Sequence, residues 1–208
     1  MKTGTLIFRL RRGAALKSDS GRERPSVVAD AAARITGFPP ILGVNPQVLI
    51  LGSMPSVASL EKQHYYGKPQ NAFWRIMGEL FGAGPEIAYE QRTQLLVEQG
   101  VAVWDVLASC VRPGSLDSAI QPATEVVNDF AGLLREHASI AHIFFNGRKA
   151  ETVFRKRAVN GVGQVRSNIS YTSLPSTSPA MASLDFAAKL ERWQVVRDVI
   201  QSGTCLNP

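Results

Sequence analysis

Four short strand-like runs, at residues 48–51, 101–104, 140–145 and 169–174, most constrain what this chain can fold into, because a stretch with helical character separates each from the next. The run Val48, Leu49, Ile50, Leu51 has no polar residue on either face, which is the mark of a buried strand. Residues 72–82 place Phe73, Ile76, Met77, Leu80 and Phe81 on one helical stripe. Residues 88–99 read as a helix that stops at Gly100. Residues 124–137, with Val127, Phe130 and Leu134, predict another helix, residues 148–158 a short basic one, and residues 184–202 a last one with Phe186, Leu190, Trp193 and Ile200. Strands alternating with helices predict right-handed crossovers and a mostly parallel sheet covered on both faces. Such sheets bind ligands beyond the carboxyl ends of their strands. That rule selects the loops 52–71, 105–120, 146–148 and 174–183.

A length of 208 residues with 45% hydrophobic content suits one domain, or one domain plus a tail. A Pro- and Gly-rich stretch over residues 35–47 marks the boundary. We therefore expect a basic, flexible tail over residues 1–36 and a folded domain over residues 37–208. The charge supports this division. Residues 1–34 hold eight Lys or Arg and three Asp or Glu, which accounts for most of the net +6. A basic tail adds salt-sensitive DNA affinity or is a solvated end. An over-extended start or an Arg-rich targeting segment is an alternative reading of the same residues. An internal cluster, Arg148, Lys149, Arg155, Lys156, Arg157 and Arg166, is opposed only by Glu151; it suits a DNA contact or a solvated helix face. No apolar stretch is long enough to cross a bilayer. Two cysteines without a CxxC pair, and three histidines without zinc spacing, predict no metal site and no disulfide framework. A reducing, cytosolic setting fits.

The loop selected first is the richest in chemistry. Gly52, Ser53, Met54, Pro55, Ser56 and Ser59 are mostly small and allow close approach of a ligand to the backbone. Tyr65 and Tyr66 follow, then Gly67, Lys68, Pro69, Gln70 and Asn71 before the helix. Aromatics beside a carboxamide suit a flat, hydrogen-bonding ligand such as a nucleobase. Asn71 is also a good helix N-cap, and the Tyr pair also suits a core. In the second loop Ser115 and Asp117 are candidate pocket residues, with an Arg112–Asp117 staple as the structural alternative. Asn146, ending a buried strand, can read the edge of a base or cap the next helix.

The run YYGKPQNAFW, with WDVLASCVRPGSLDSAI, IFFNGRKA and LPSTSPA after it in order, resembles the uracil-DNA glycosylase superfamily and its hypoxanthine-DNA glycosylase branch above all. The likeness spans about residues 38–200. It implies a three-layer α/β/α sandwich around a four-stranded parallel sheet, the strand number already read from the periodicity. It further implies a monofunctional DNA repair glycosylase that needs no cofactor or metal. The enzyme would release a flipped deaminated base, hypoxanthine first, from double-stranded DNA, with single strands as a second substrate. It would act as a monomer in a bacterial-type cytoplasm, at the nucleoid. Many members carry Asp or Asn just after the first-motif glycine. Here Gly52 is followed by Ser53, Met54 and Pro55, so the resemblance gives the catalytic role to Asn71. Gly52, Ser53, Met54, Tyr66, Ser115, Asp117 and Asn146 are the expected base pocket, with Tyr66 stacking on the ring. Ser56, Ser59, Lys68, Arg148, Ser176, Thr177, Ser178 and Pro179 are expected against DNA. Leu174 stands where uracil glycosylases usually place His or Asn before Pro-Ser, which argues for hypoxanthine over uracil. The competing readings are a uracil or G:U/G:T mismatch glycosylase, and a non-catalytic DNA- or nucleotide-binding module.

Overall fold

A computed structural model describes residues 33–204. In chain order the elements are β1 (Arg34–Thr36), β2 (Val48–Gly52), α1 (Val57–Lys62), α2 (Phe73–Phe81), α3 (Tyr89–Glu98), β3 (Val101–Asp105), β4 (Leu107–Val111), β5 (Val126–Val127), α4 (Phe130–Glu136), β6 (His142–Asn146), α5 (Arg148–Arg157), α6 (Val159–Val165), β7 (Ser170–Leu174), α7 (Phe186–Trp193) and α8 (Val195–Thr204). The main sheet has the order β3-β2-β6-β7, and its three pairings are all parallel. The four expected strands are these four.

The period of two along a strand sorts the core into two layers. Val48, Ile50 and Phe144 pack with Phe73, Ile76, Met77, Leu96 and Trp193, from α2, α3 and α7. Leu49, Leu51, Ile143 and Phe145 pack with Phe130, Leu134, Phe154 and Val162, from α4, α5 and α6. Every residue of β2 is buried, so both of its faces are covered. Each large apolar side chain buried this way stabilises the fold by about 1.5–3 kcal/mol. The result is the expected α/β/α sandwich.

A second, antiparallel sheet in the order β1-β4-β5 was not legible in the sequence. Its strand β4 continues from β3 after Val106 alone, and its partners are only three and two residues long. Strand β1 falls inside the segment expected to be tail. Residues 1–32 of that segment lie outside the described residues, whereas Arg34 reaches the Ser109 hydroxyl and the Thr124 carbonyl, both at 2.9 Å.

Two expected helices are also corrected. The stretch 124–137 is helical only from Phe130, because Asp129 caps there, its carboxylate accepting from the Gly132 N–H at 2.8 Å. The β-branched Val126 and Val127 ahead of it pair with β4 instead. The stretch 184–202 is two helices that meet at Gln194. The short helices α1 and α6 were not expected.

Candidate active site

The strand ends set the positions of the polar groups. Gly52 pairs with Asp105 at the carboxyl ends of β2 and β3, and Asn146 pairs with Leu174 at the ends of β6 and β7. Above these ends the loops enclose a cavity of about 310 Å³. Of the residues singled out from sequence, Gly52, Ser53, Met54, Ser56, Ser59, Tyr66, Asn71, Ser115, Asp117, Asn146, Ser176, Thr177 and Ser178 line it. Lys68 lies in a neighbouring hollow of about 270 Å³ that shares Tyr66 and Asn71 with it. Arg148 lies in another hollow beside Ser176, and Pro179 is exposed.

Tyr66 is held with a φ of 53°, a left-handed conformation that few non-glycine residues adopt. Its ring stacks on buried Phe73 with centroids 3.8 Å apart and planes 20° from parallel. Tyr66 thus forms an aromatic cavity wall backed by the core. Tyr65 takes the structural alternative: it is buried, and its hydroxyl donates to the Pro39 carbonyl at 3.1 Å.

Asn71 does not cap α2 as a formal N-cap, which is Ala72. Its Oδ1 accepts instead from the Phe73 N–H at 3.0 Å, and its NH2 group makes no hydrogen bond among the described residues. The backbone donor fixes which amide atom is oxygen. One lone pair of Oδ1 and both N–H bonds are left for a ligand.

Asn146 is more constrained than expected. Its Nδ2 donates to the Thr177 hydroxyl at 2.9 Å, and its Oδ1 accepts from the Thr177 N–H at 2.8 Å. That clamp uses the paired donor–acceptor edge of the amide. The remaining N–H and lone pair point away from each other, so Asn146 has one hydrogen bond rather than two to offer along any one ligand edge.

The second loop docks on the first. The Ser53 hydroxyl donates to Asp117 at 2.6 Å, and the Ser115 hydroxyl accepts from the Val57 N–H at 3.0 Å. Buried Arg112 is not paired with Asp117. Its guanidinium donates to the carbonyls of Gly114, Met54 and Pro55, which holds the Gly52 loop in place.

Three residues expected against DNA already have partners within the protein. Thr177 is 1% exposed and spent on Asn146, and Ser59 is 2% exposed and accepts from the Gly67 N–H at 3.0 Å. Ser56 caps α1. Ser176 and Ser178 accept from nearby N–H groups but keep their own hydroxyl protons to donate. Leu174 is a core residue packed with Phe144 and Trp193 and does not line the cavity. A donor missing at that position is therefore not a donor missing from the cavity wall. Among the basic cluster, Lys149 and Arg157 pair with Glu125 at 2.7 and 3.0 Å, and Arg155 pairs with Glu151 at 2.8 Å.

Sequence reasoning missed Asp105. It is 3% exposed, and its Oδ2 is a buried oxygen with no hydrogen-bond partner; the Tyr66 hydroxyl is another. Burial first, and the charge of Asp117 second, push its carboxyl up to about 7 against the opposing Arg112 charge. A Cβ on Gly52 would collide with Asp105 Oδ1 and stand 3.1 Å from the Tyr66 hydroxyl oxygen, which is why this position needs glycine. A carboxyl group thus reaches the Gly52 loop from the neighbouring strand. An acidic residue ending an apolar strand, in the edge rank with Gly52, is the signal that finds it.

The arrangement is a base-sized cavity with an aromatic wall, an oriented amide at the rim and a protonatable acid on the floor. The profile of the uracil DNA glycosylase superfamily matches residues 39–197. Over 115 residues the chain is 44% identical to a hypoxanthine DNA glycosylase of Methanosarcina acetivorans, covering 55% of this chain and 72% of the relative. A hypoxanthine DNA glycosylase of Methanosarcina barkeri is 36% identical over the same extent. The solution NMR structure of a candidate uracil DNA glycosylase from M. acetivorans superimposes with a TM-score of 0.65 at 35% identity, covering 80% of this chain and 99% of that one. The chain belongs to the uracil DNA glycosylase superfamily.

Proposed function

We infer that this protein is a DNA repair glycosylase that hydrolyses the N-glycosidic bond of a flipped hypoxanthine and leaves an abasic site. The observation that carries the reading is the cavity itself, with Tyr66 backed by Phe73 on one wall and the Asn71 amide held by the Phe73 N–H. The two hypoxanthine DNA glycosylases to which the chain is similar support the choice of base. Flipping the nucleotide out of the stack costs a few kcal/mol, least for a mispaired base. Tyr66 stacks on the flipped ring. Asn71 orients the attacking water with its carbonyl, or donates to the departing base with its NH2 group; its amide is too weakly basic to remove a proton. The bond breaks through an oxocarbenium-like sugar, which DNA phosphates and the fixed amide dipole stabilise. No lysine lines the cavity among the described residues, so an imine route to strand cleavage lacks its nucleophile. The enzyme acts at the nucleoid as a monomer on duplex DNA, with single strands as a second substrate.

The test is single-turnover base release from duplexes that carry hypoxanthine, uracil, xanthine or a thymine mismatch, read after alkali. Hypoxanthine is expected to leave fastest, and strands are expected to break only with alkali. Asn71→Ala is expected to slow release by roughly 10²-fold or more while the protein stays folded. Faster release of uracil from U·A pairs would reverse the choice of base. No release from any duplex would leave a binding module.

A further inference from the structure

We propose that Asp105 is the general acid of base release, passing its carboxylic proton to a ring nitrogen of the departing purine. This rests on the glycosylase reading above and adds a second catalytic residue to it beside Asn71.

The geometry fixes the backbone at Asp105 before any ligand arrives. The Asp105 carbonyl accepts from Asn128 Nδ2 at 2.8 Å, and the adjacent Val106 N–H donates to Gly52 at 2.8 Å. Gly52 offers no side chain, so Asp105 Oδ1 lies against its Cα face. Oδ2 is buried with no partner, and the buried Tyr66 hydroxyl lies on the same side of Gly52. A buried polar atom left unpaired is unfavourable, so the cavity floor implies a ligand that satisfies Asp105 Oδ2. The groups facing Asp105 are Gly52 and Asn146 from the strands, Tyr65 and Tyr66 from the first loop, and Arg112 and Asp117 from the second. Tyr66 stays a neutral phenol, because burial and then the Asp105 charge raise it. The uncharged form of Asp105 is favoured by burial and by Asp117, and opposed by Arg112.

A neutral carboxyl with no acceptor inside the protein donates to whatever enters. A purine presents N3 and N7 as bare ring nitrogens, whereas uracil presents only carbonyl oxygens once N1 holds the sugar and N3 holds hydrogen. A donor here therefore favours purines, which Leu174, buried in the core, does not explain. In the step itself, the proton moves from Asp105 to the ring nitrogen as the C1′–N9 electron pair moves onto N9. Water adds its oxygen to C1′ and loses a proton to solvent, and Asp105 regains one from solvent. The net change is one water consumed for one base released.

The experiment is single-turnover hypoxanthine release from a deoxyinosine duplex between pH 5.5 and 9, for wild type and Asp105→Asn, with thermal melts to check folding. Wild-type release is expected to fall about tenfold per pH unit above about pH 7. Asp105→Asn is expected to be roughly 10²-fold slower at pH 6 and flat in pH. The wild-type profile stands alone if the variant does not fold. A wild-type rate that is flat or rises through this range overturns the proposal, and so does an Asp105→Asn protein with the wild-type rate and profile; in both cases the glycosylase reading survives. Wild type that releases no hypoxanthine at any pH overturns both.

Discussion

Gly52 and Asp105 are one feature read from two strands, and each makes a prediction about the other. Gly52→Ala places a methyl group on Asp105 Oδ1, so the carboxyl must swing out of the floor. Such overpacking costs about 1–3 kcal/mol. Urea melts are expected to show that loss, together with slower base release. Asp105 also ties stability to pH. Its carboxyl is raised from 3.8 to about 7 on folding, so the unfolded chain loses this proton first. The folded protein therefore has its full share of stability below about pH 4 and loses it as pH rises through about 7. The whole shift corresponds to a loss on the order of 4 kcal/mol as a ceiling. Asp105→Asn is expected to gain on wild type between urea melts at pH 4.5 and pH 8. A stability difference that does not change with pH would show that the carboxyl is not held protonated.

At the scale of elements, Thr177 is the knot of the site. It clamps Asn146 at the end of β6, and its carbonyl accepts from the Ala72 N–H at 2.9 Å where the chain enters α2. One residue of the loop after β7 thereby positions both candidate carboxamides, because Asn71 is the neighbour of Ala72. Gly147 brings this loop close: a Cβ there would stand 2.8 Å from Ser176 Cβ. Thr177→Val keeps the shape and removes the hydroxyl. It is expected to cost about 1–3 kcal/mol in a denaturant titration, because Asn146 Nδ2 loses its acceptor. Base release is expected to fall by more than duplex binding does. The exposed part of the loop is the expected grip on DNA. Changing Ser176 and Ser178 to Gly is expected to weaken lesion-duplex binding more than single-strand binding, since only the duplex has a stack to hold open. Equal losses in a fluorescence titration would leave the loop as a plain phosphate contact.

Across the whole molecule the basic charge is unevenly placed. Outside residues 1–34 the chain holds 15 basic and 14 acidic residues. Three of the six residues of the internal basic cluster are ion-paired, and Arg166 bonds the Ala138 carbonyl at 2.8 Å. Bulk affinity for DNA is therefore expected to come from residues 1–32. Their deletion is expected to flatten the salt dependence of DNA binding and to leave the melting temperature nearly unchanged. Deletion through Gly37 removes β1 and the bonds of Arg34, and is expected to lower the melting temperature as well. An unchanged salt slope in the first variant would move the phosphate contacts to Lys68 and Arg148.

The main sheet was legible because its signal is local. Runs such as Val48 to Leu51, and stripes such as Phe73, Ile76, Met77 and Leu80, declare their burial by spacing alone, and a parallel sheet with helices on both faces follows. The same rule placed the cavity at the strand ends and brought most of the expected pocket residues to it. The small antiparallel sheet escaped because strands of two and three residues have no period to detect. Which hydroxyls and amides are free was likewise beyond sequence. Thr177 and Ser59 read as DNA contacts, and Asn146 as a reader of a base edge or a helix cap, until their partners, 31 residues away for Thr177 and Asn146 and 8 for Ser59 and Gly67, are known. Asp105 was decided in the same way. Its role depends on the pairing of β3 with β2, which brings a carboxyl group against Gly52 from 53 positions along the chain and removes it from water. Periodicity is a property of neighbours in sequence, whereas desolvation and hydrogen-bond partnership are properties of neighbours in space.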